Sequence, residues 1–130
     1  MLVVIDTNVL VSSLWSRCGS SAKVVGMVVS GALLPCYDHH ILCEYREVLR
    51  CPKFTFSQGQ INALLGRIES NGQSVVADHL DAAFIDESDR KIYEVAKYCN
   101  ATLLTGNLKH FPKDPLVMNV TDFLEGNESQ

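Results

Sequence analysis

Residues 1–10 read MLVVIDTNVL. The run 2–5 is wholly apolar and contains two consecutive valines, which is typical of a strand buried on both faces of a parallel sheet. Asp6 ends this run, and Thr7 or Asn8 can cap a short helix that follows. A carboxylate at the carboxyl end of a buried parallel strand lies where open α/β sheets bind their ligands. The alternative is that Asp6 only caps the following helix.

The composition is that of one ordinary globular domain spanning residues 1–130, with 47% hydrophobic and 20% charged residues. No apolar stretch approaches the roughly 20 residues that cross a bilayer, and the first apolar run lacks the basic flank of a signal peptide. The five cysteines are odd in number and never spaced CxxC, which favours free thiols in a reducing compartment over disulfides or zinc. We therefore expect a cytoplasmic protein with no membrane segment.

The net charge of −4 argues against a protein that holds nucleic acid by bulk electrostatic attraction. It does not argue against a nucleic-acid enzyme whose acidic residues are neutralised by metal ions.

Strand and helix patterns alternate along the rest of the chain. Further strands are predicted at 33–37, 74–77, 101–105 and 116–120, and helices at 20–31, 39–50, 57–71 and 89–100, with a polar loop at 78–88 and a short helical tail at 122–124. Pro35 makes the second strand weaker or places it near an edge. Such alternation predicts a parallel sheet of four to five strands that is covered by helices on both faces.

Three further acidic residues are candidates to meet Asp6. Glu44 borders the apolar stripe of its helix, so it either reaches into a cleft between helix and sheet or is an ordinary surface acid. Asp86 can cap the helix 89–100 and Asp89 can occupy its first turn, where both complement the positive helix end. Because Asp89 lies three residues before Ile92, it shares the buried face of that helix and points towards the sheet.

A polar triplet, Thr105 to Asn107, follows the fourth strand as Asp6 follows the first. If these two strands are neighbours, their carboxyl ends meet at one crevice and Asn107 faces Asp6. The carboxylates of Asp6, Glu44 and Asp89 and the amide oxygen of Asn107 are hard ligands that suit Mg²⁺ or Mn²⁺. Without a cation, the three carboxylates raise one another's pKa. His110 follows shortly after, and a lone histidine beside Phe111 is more often structural than catalytic.

Together these segments resemble a PIN domain, of the branch that includes VapC-like toxins of toxin–antitoxin systems. The resemblance rests on MLVVIDTNVLVSSL, EYREVL, ESDRKIYEVAKYCNATLLTGNLKHFP and VMNVTDFL, and it covers essentially the whole chain in order. It implies a three-layer α/β/α sandwich in which the first strand is central. It also implies a metal-dependent ribonuclease that cuts single-stranded RNA, commonly forms a homodimer and is inhibited by an antitoxin with a basic segment.

The family's three acids fall on Asp6, Glu44 and Asp89, as catalytic residues and as ligands of Mg²⁺ or Mn²⁺. Asn107 takes a fourth ligand position at which many members carry aspartate. This loss of a negative charge weakens a second metal site, so we expect one well-bound metal ion and a second that arrives with RNA. The auxiliary candidates at the site are Asp86, Asn8 and Thr105.

Two other interpretations stay open. Asn107 favours a PIN fold that binds RNA or a protein as a regulatory module without cutting. The second interpretation is a different α/β enzyme that acts on phosphate groups. A haloacid-dehalogenase-like phosphatase needs an aspartate where this chain has Asn8, and a receiver domain needs an acidic pair and a lysine that cannot be placed.

Overall fold

The computed structural model describes residues 1–78 and 86–128 of the chain. Residues 79–85 of the predicted loop 78–88 lie outside the described residues. In chain order the elements are β1 (Leu2–Ile5), α1 (Thr7–Trp15), α2 (Ser20–Ser30), β2 (Leu34–Tyr37), α3 (His39–Leu49), α4 (Gln58–Asn71), β3 (Gln73–Ser74), α5 (Glu87–Cys99), β4 (Thr102–Thr105), β5 (Val117–Asn119) and α6 (Val120–Glu128). Two short 3₁₀ turns, at Pro52–Phe54 and Leu108–His110, lie between them.

The strands form one parallel sheet in the order β3-β2-β1-β4-β5. The first strand is therefore central, and Val4 lies opposite Leu103 of β4. Val3, Val4 and Ile5 are at most 1% exposed. Since consecutive side chains of a strand point to opposite faces, both faces of the sheet are covered. The predicted α/β sandwich with a parallel sheet of four to five strands is confirmed.

Several helix ends form where local chemistry predicts them. The side chain of Asp38 caps α3 by accepting a hydrogen bond from the Ile41 N–H at 2.8 Å. A capping box joins Ser57 to Gln60 at the start of α4. Gly31, with φ of 89°, ends α2 in the left-handed conformation that glycine adopts at little cost.

The first helix begins differently from the prediction. The N-cap position of α1 is Asp6 and not Thr7 or Asn8, and the Asp6 side chain makes no capping hydrogen bond. The carboxylate is held elsewhere, so the interpretation of Asp6 as only a helix cap is wrong.

Several other boundaries differ from the prediction, and α5, for example, begins at Glu87 and not at residue 89. The third strand spans 73–74 and not 74–77, because among the described residues its pairing with β2 covers these two positions and Val76 is 88% exposed. The fifth strand is shorter than 116–120, and the tail at 122–124 is part of the longer helix α6.

All five cysteines are free, as predicted. Within the described ranges, the helices are too short or too polar to cross a membrane.

Candidate functional site

Asp6 lies at the point where the strand order reverses, between β1 and β4. Its backbone N–H continues the strand pairing by donating to the Leu104 carbonyl at 2.9 Å. Its carboxylate accepts a 2.7 Å hydrogen bond from the hydroxyl of Thr105, which is fully buried. This bond ties the Asp6 side chain to the end of β4 and fixes its orientation.

The loop after β4 is joined to the start of α1. Gly106 N–H donates to the Asn8 side-chain oxygen at 3.3 Å, and Asn107 N–H donates to the Thr105 hydroxyl at 2.9 Å. Thr105 therefore donates to Asp6 while it accepts from Asn107, so one buried hydroxyl sets the relative position of two predicted site residues.

Glu44 is held by the residue that follows Asp6. The hydroxyl of Thr7 donates to Glu44 Oε2 at 2.7 Å. The neighbouring side chain, Tyr45, is 1% exposed and donates its hydroxyl to the carbonyl oxygen of Ile5 at the end of β1. These two bonds fix α3 against the carboxyl end of β1, and Glu44 thereby faces the same region as Asp6.

Asp89 approaches from the first turn of α5. Its side chain is 12% exposed, and its Oδ2 lies 3.3 Å from Nδ1 of His110. Asp86 is the N-cap of α5 and accepts from the Ser88 N–H at 2.8 Å, as predicted. His110 belongs to the site, whereas its sequence context favoured a purely structural role.

These side chains line one open cleft of about 390 Å³. Six of the seven predicted site residues line it: Asp6, Asn8, Glu44, Asp86, Asp89 and Asn107. The seventh, Thr105, is not among the lining residues but lies behind Asp6. Thr7 and His110 also line the cleft, and Phe54 contributes to an apolar side. The structure thus brings together acids that are 83 positions apart in the sequence (89 − 6).

The cleft is electrostatically unfavourable for its own carboxylates. The pKa of Asp6 is raised from 3.8 to about 6, chiefly by burial and also by the charges of Asp89 and Glu44, while the hydrogen bond from Thr105 opposes the rise. Burial, together with the charge of Asp86, also raises the pKa of Asp89, and His110 partly opposes this rise. Buried carboxylates that repel one another favour a bound cation.

The donor set fits a loosely held hard cation better than a closed metal site. Among residues 1–78 and 86–128, no three His, Cys, Asp or Glu side chains are grouped tightly enough to hold an ion by themselves. Asp6, Glu44 and Asp89 each share one oxygen with a protein hydrogen-bond donor or histidine. Their remaining oxygens suit Mg²⁺, which keeps several waters and takes one or two carboxylates from the protein.

Comparison with known proteins agrees with this geometry. The sequence profile of the PIN domain matches residues 2–109. The chain belongs to the PIN domain family. This PIN domain also resembles a chain in the crystal structure of VapBC2 from Rickettsia felis bound to a DNA fragment from their promoter. The TM-score is 0.60 and the identity 18%, over 92% of this chain and 98% of that chain, which shows a shared fold. A search of curated proteins gives no significant match.

Among the residues of this PIN domain's cleft that the sequence did not assign to it are Thr7, His110 and Phe54. Thr7 was considered only as a helix cap, although its place beside Asp6 puts it at the same strand end. His110 lies three residues after the end of an already suspected triplet and could have been linked to the acids. No local pattern brings Phe54 to the cleft, since its position depends on how the loop after α3 folds.

Proposed function

We propose that this PIN domain protein is a Mg²⁺- or Mn²⁺-dependent endoribonuclease that hydrolyses phosphodiester bonds of single-stranded RNA. The observation that carries this proposal is the convergence of Asp6, Glu44 and Asp89 on one cleft, where burial and mutual repulsion raise the pKa of Asp6. Carboxylates kept close at such a cost are expected where a cation and a phosphate are to be bound together.

Asp6, Glu44 and Asp89, with the amide oxygen of Asn107, are the residues that would hold the ion. When bound, a divalent ion activates a water molecule for attack on phosphorus and stabilises the charge on the leaving oxygen. The chain's own part is to keep the acids in place. Thr105 orients Asp6, and Thr7 orients Glu44.

The test is cleavage of single-stranded RNA by purified protein with Mg²⁺ or Mn²⁺ and with a chelator. Asp6→Asn and Glu44→Gln are expected to lower the rate by more than the roughly 10- to 100-fold that loss of an outer-shell partner costs. Glu47→Gln is the matched control, because Glu47 is an exposed acid on the same helix as Glu44. Full cleavage by folded Asp6→Asn would show that these acids are not the catalytic set.

We further propose that the protein is a cytoplasmic homodimer and the toxin of a toxin–antitoxin pair, inhibited by an antitoxin with a basic segment. Two observations support an antitoxin of this kind: the fold shared with a chain of VapBC2 and the acidic cleft, which complements positive charge.

Expression of the wild-type chain is expected to arrest growth, and Asp6→Asn is expected to relieve the arrest. Co-expression of a small, basic-tailed protein encoded beside it is expected to relieve the arrest as well.

A second function, an RNA- or protein-binding PIN module that does not cut, is favoured by Asn107. An uncharged residue at this position reduces the negative charge available to hold metal ions. Calorimetric titration with Mn²⁺ separates the two functions. No binding at millimolar Mn²⁺ would favour the module, and binding that is lost in Asp6→Asn would favour the nuclease.

A further inference from the structure

Three aromatic side chains form a surface group, the aromatic cluster, made of Trp15, Phe54 and Phe56. The two phenylalanine rings are stacked, with centroids 5.6 Å apart and an interplanar angle of 11°. Trp15 stands edge-on to both, 5.7 Å from Phe54 and 6.2 Å from Phe56. Trp15 is nevertheless 64% exposed, so the packing holds the indole in place while leaving most of its surface open to a ligand.

The aromatic cluster is continuous with the acidic cleft. Phe54 belongs to both, because it lines the cleft together with the carboxylates. The helix α1 begins directly after Asp6 and ends at Trp15. Val11 and Ser12, which lie on α1 between these two residues, also line the cleft. At a rise of 1.5 Å per residue, Trp15 lies about 13 Å along the helix from Asp6. A strand bound at the acids can therefore reach the aromatic cluster.

The loop that presents the phenylalanines has an unusual backbone. Thr55 has a φ of +55°, a left-handed conformation that β-branched residues rarely adopt. It separates Phe54 from Phe56 in sequence, and the two rings stack on each other across it. Lys53 lies next to them, with Nζ 5.0 Å from the centroid of the Phe54 ring. The loop thus combines held aromatic rings with a positive charge.

We propose that the aromatic cluster is a stacking platform for a nucleobase of the single-stranded RNA whose phosphate is bound at the acids. The inference rests on the proposed ribonuclease function and adds a second contact to it. Proteins that bind single-stranded nucleic acids combine aromatic rings with neighbouring cations. The rings stack on the bases, and the cations contact the phosphate backbone. The shared residue Phe54 favours this occupant, because it places the rings beside the site of phosphate chemistry.

The chain carries its own probe of this contact. Trp15 is the one tryptophan of the sequence, so intrinsic indole fluorescence reports on the aromatic cluster alone. A short single-stranded RNA is titrated into the wild-type protein with Ca²⁺ in place of Mg²⁺, and electrophoresis checks that the RNA stays intact. Stacking is expected to quench the fluorescence. An abasic strand of the same length and charge is expected to leave it nearly unchanged.

Three variants test the energetic contribution by an independent measurement, RNA binding followed by anisotropy of a labelled strand. Trp15→Ala is expected to weaken binding about tenfold, within the range of one base–aromatic stack. Trp15→Phe keeps an aromatic face and is expected to retain most of the affinity. Tyr98→Ala removes an exposed aromatic residue from α5, outside the aromatic cluster, and is expected to bind like wild type.

The outcomes separate this inference from the nuclease proposal. If RNA is cleaved but Trp15→Ala binds it as wild type does, the platform is overturned and the nuclease stands. If RNA binds with quenching but is never cleaved, the platform stands and the nuclease fails. If RNA does not bind, or if Trp15→Ala instead abolishes self-association seen by sedimentation, the aromatic cluster serves another purpose and the inference is wrong.

Discussion

At the scale of single residues, the proposed chemistry depends on Asp6, whose burial costs stability. The side chain is 6% exposed and close enough to Glu44 and Asp89 for their charges to raise its pKa. Thr105 offsets part of that cost through one hydrogen bond. The site is therefore a place where stability is lower than the fold alone would give, which is common where function requires close charges.

Asp6→Asn is expected to stabilise the metal-free protein at neutral pH. Because the folded-state pKa of about 6 exceeds the usual 3.8, the folded protein loses stability as pH rises from about 4 through 6 and Asp6 ionises. Asparagine cannot ionise and can still accept the Thr105 hydrogen bond. The gain in unfolding free energy should be on the order of 2 kcal/mol above pH 7 and absent near pH 4.

Urea unfolding of both proteins at pH 4 and pH 8, with a chelator present, measures this difference. Glu47→Gln removes the same charge from an exposed position on α3 and should show no comparable gain. A gain that is equal at both pH values would contradict the assignment of the effect to ionisation of Asp6.

Thr105→Val is expected to destabilise the protein by about 1–3 kcal/mol, because it removes a buried hydroxyl that both donates and accepts. Thr105→Ser keeps that hydroxyl and should lose less stability and retain RNA cleavage. In the valine variant the cleavage rate should fall although Asp6 itself is still present, since its carboxylate loses its fixed orientation. Thermal unfolding and cleavage rates of the two variants check this, and equal behaviour of Val and Ser would refute a role for the hydroxyl.

At the scale of elements, the turn between α4 and β3 lies against the second strand. A Cβ atom added to Gly72 would lie 2.4 Å from the Ile68 carbonyl oxygen and 2.5 Å from the Pro35 carbonyl oxygen. Both contacts are with backbone, which cannot move aside as a flexible side chain can. A residue without a side chain is therefore required for the chain to leave α4 and enter the sheet beside β2.

Gly72→Ala is accordingly expected to destabilise the protein by about 1–3 kcal/mol through overpacking. Gly66→Ala, in the middle of α4, is the matched control, because a Cβ atom at Gly66 would meet nothing within 4 Å. That variant should gain about 0.5–1 kcal/mol, since alanine is the better helix former. Urea unfolding of both variants checks the opposite signs, and a shared sign would contradict the steric argument.

At the scale of the whole molecule, the sequence predicted the fold better than it predicted the contacts within the site. The wholly apolar run 2–5 and the alternation of elements suffice to predict a parallel sheet, because these signals are local and periodic. The central position of β1 was implied only by the resemblance to PIN domains. The position of Asp89 also followed from helical spacing to Ile92. The pairing of Asp89 with His110 and the contact of Thr7 with Glu44 were not predictable in this way, since they join separate elements across the cleft.

The repulsion within the cleft leads to a prediction about the molecule as a unit. Mn²⁺ or Mg²⁺ is expected to raise the melting temperature, because an ion that binds the folded state stabilises it by about 2.7 kcal/mol at 100 times its Kd. For a domain of this size that corresponds to roughly 5–15 °C. The rise should be larger at pH 8 than at pH 5, since below about pH 6 the proton on Asp6 competes with the ion.

Variants locate the source of that rise. Asp6→Asn should abolish most of the metal-induced rise in melting temperature although it stabilises the metal-free protein, so its two effects on stability have opposite signs. Glu47→Gln should keep the wild-type rise, because that acid is exposed and outside the cleft. Only an ion bound between the carboxylates accounts for both effects of one substitution. Calorimetric melting curves with and without Mn²⁺ measure them, and an undiminished rise in Asp6→Asn would move the ion to another place on the molecule.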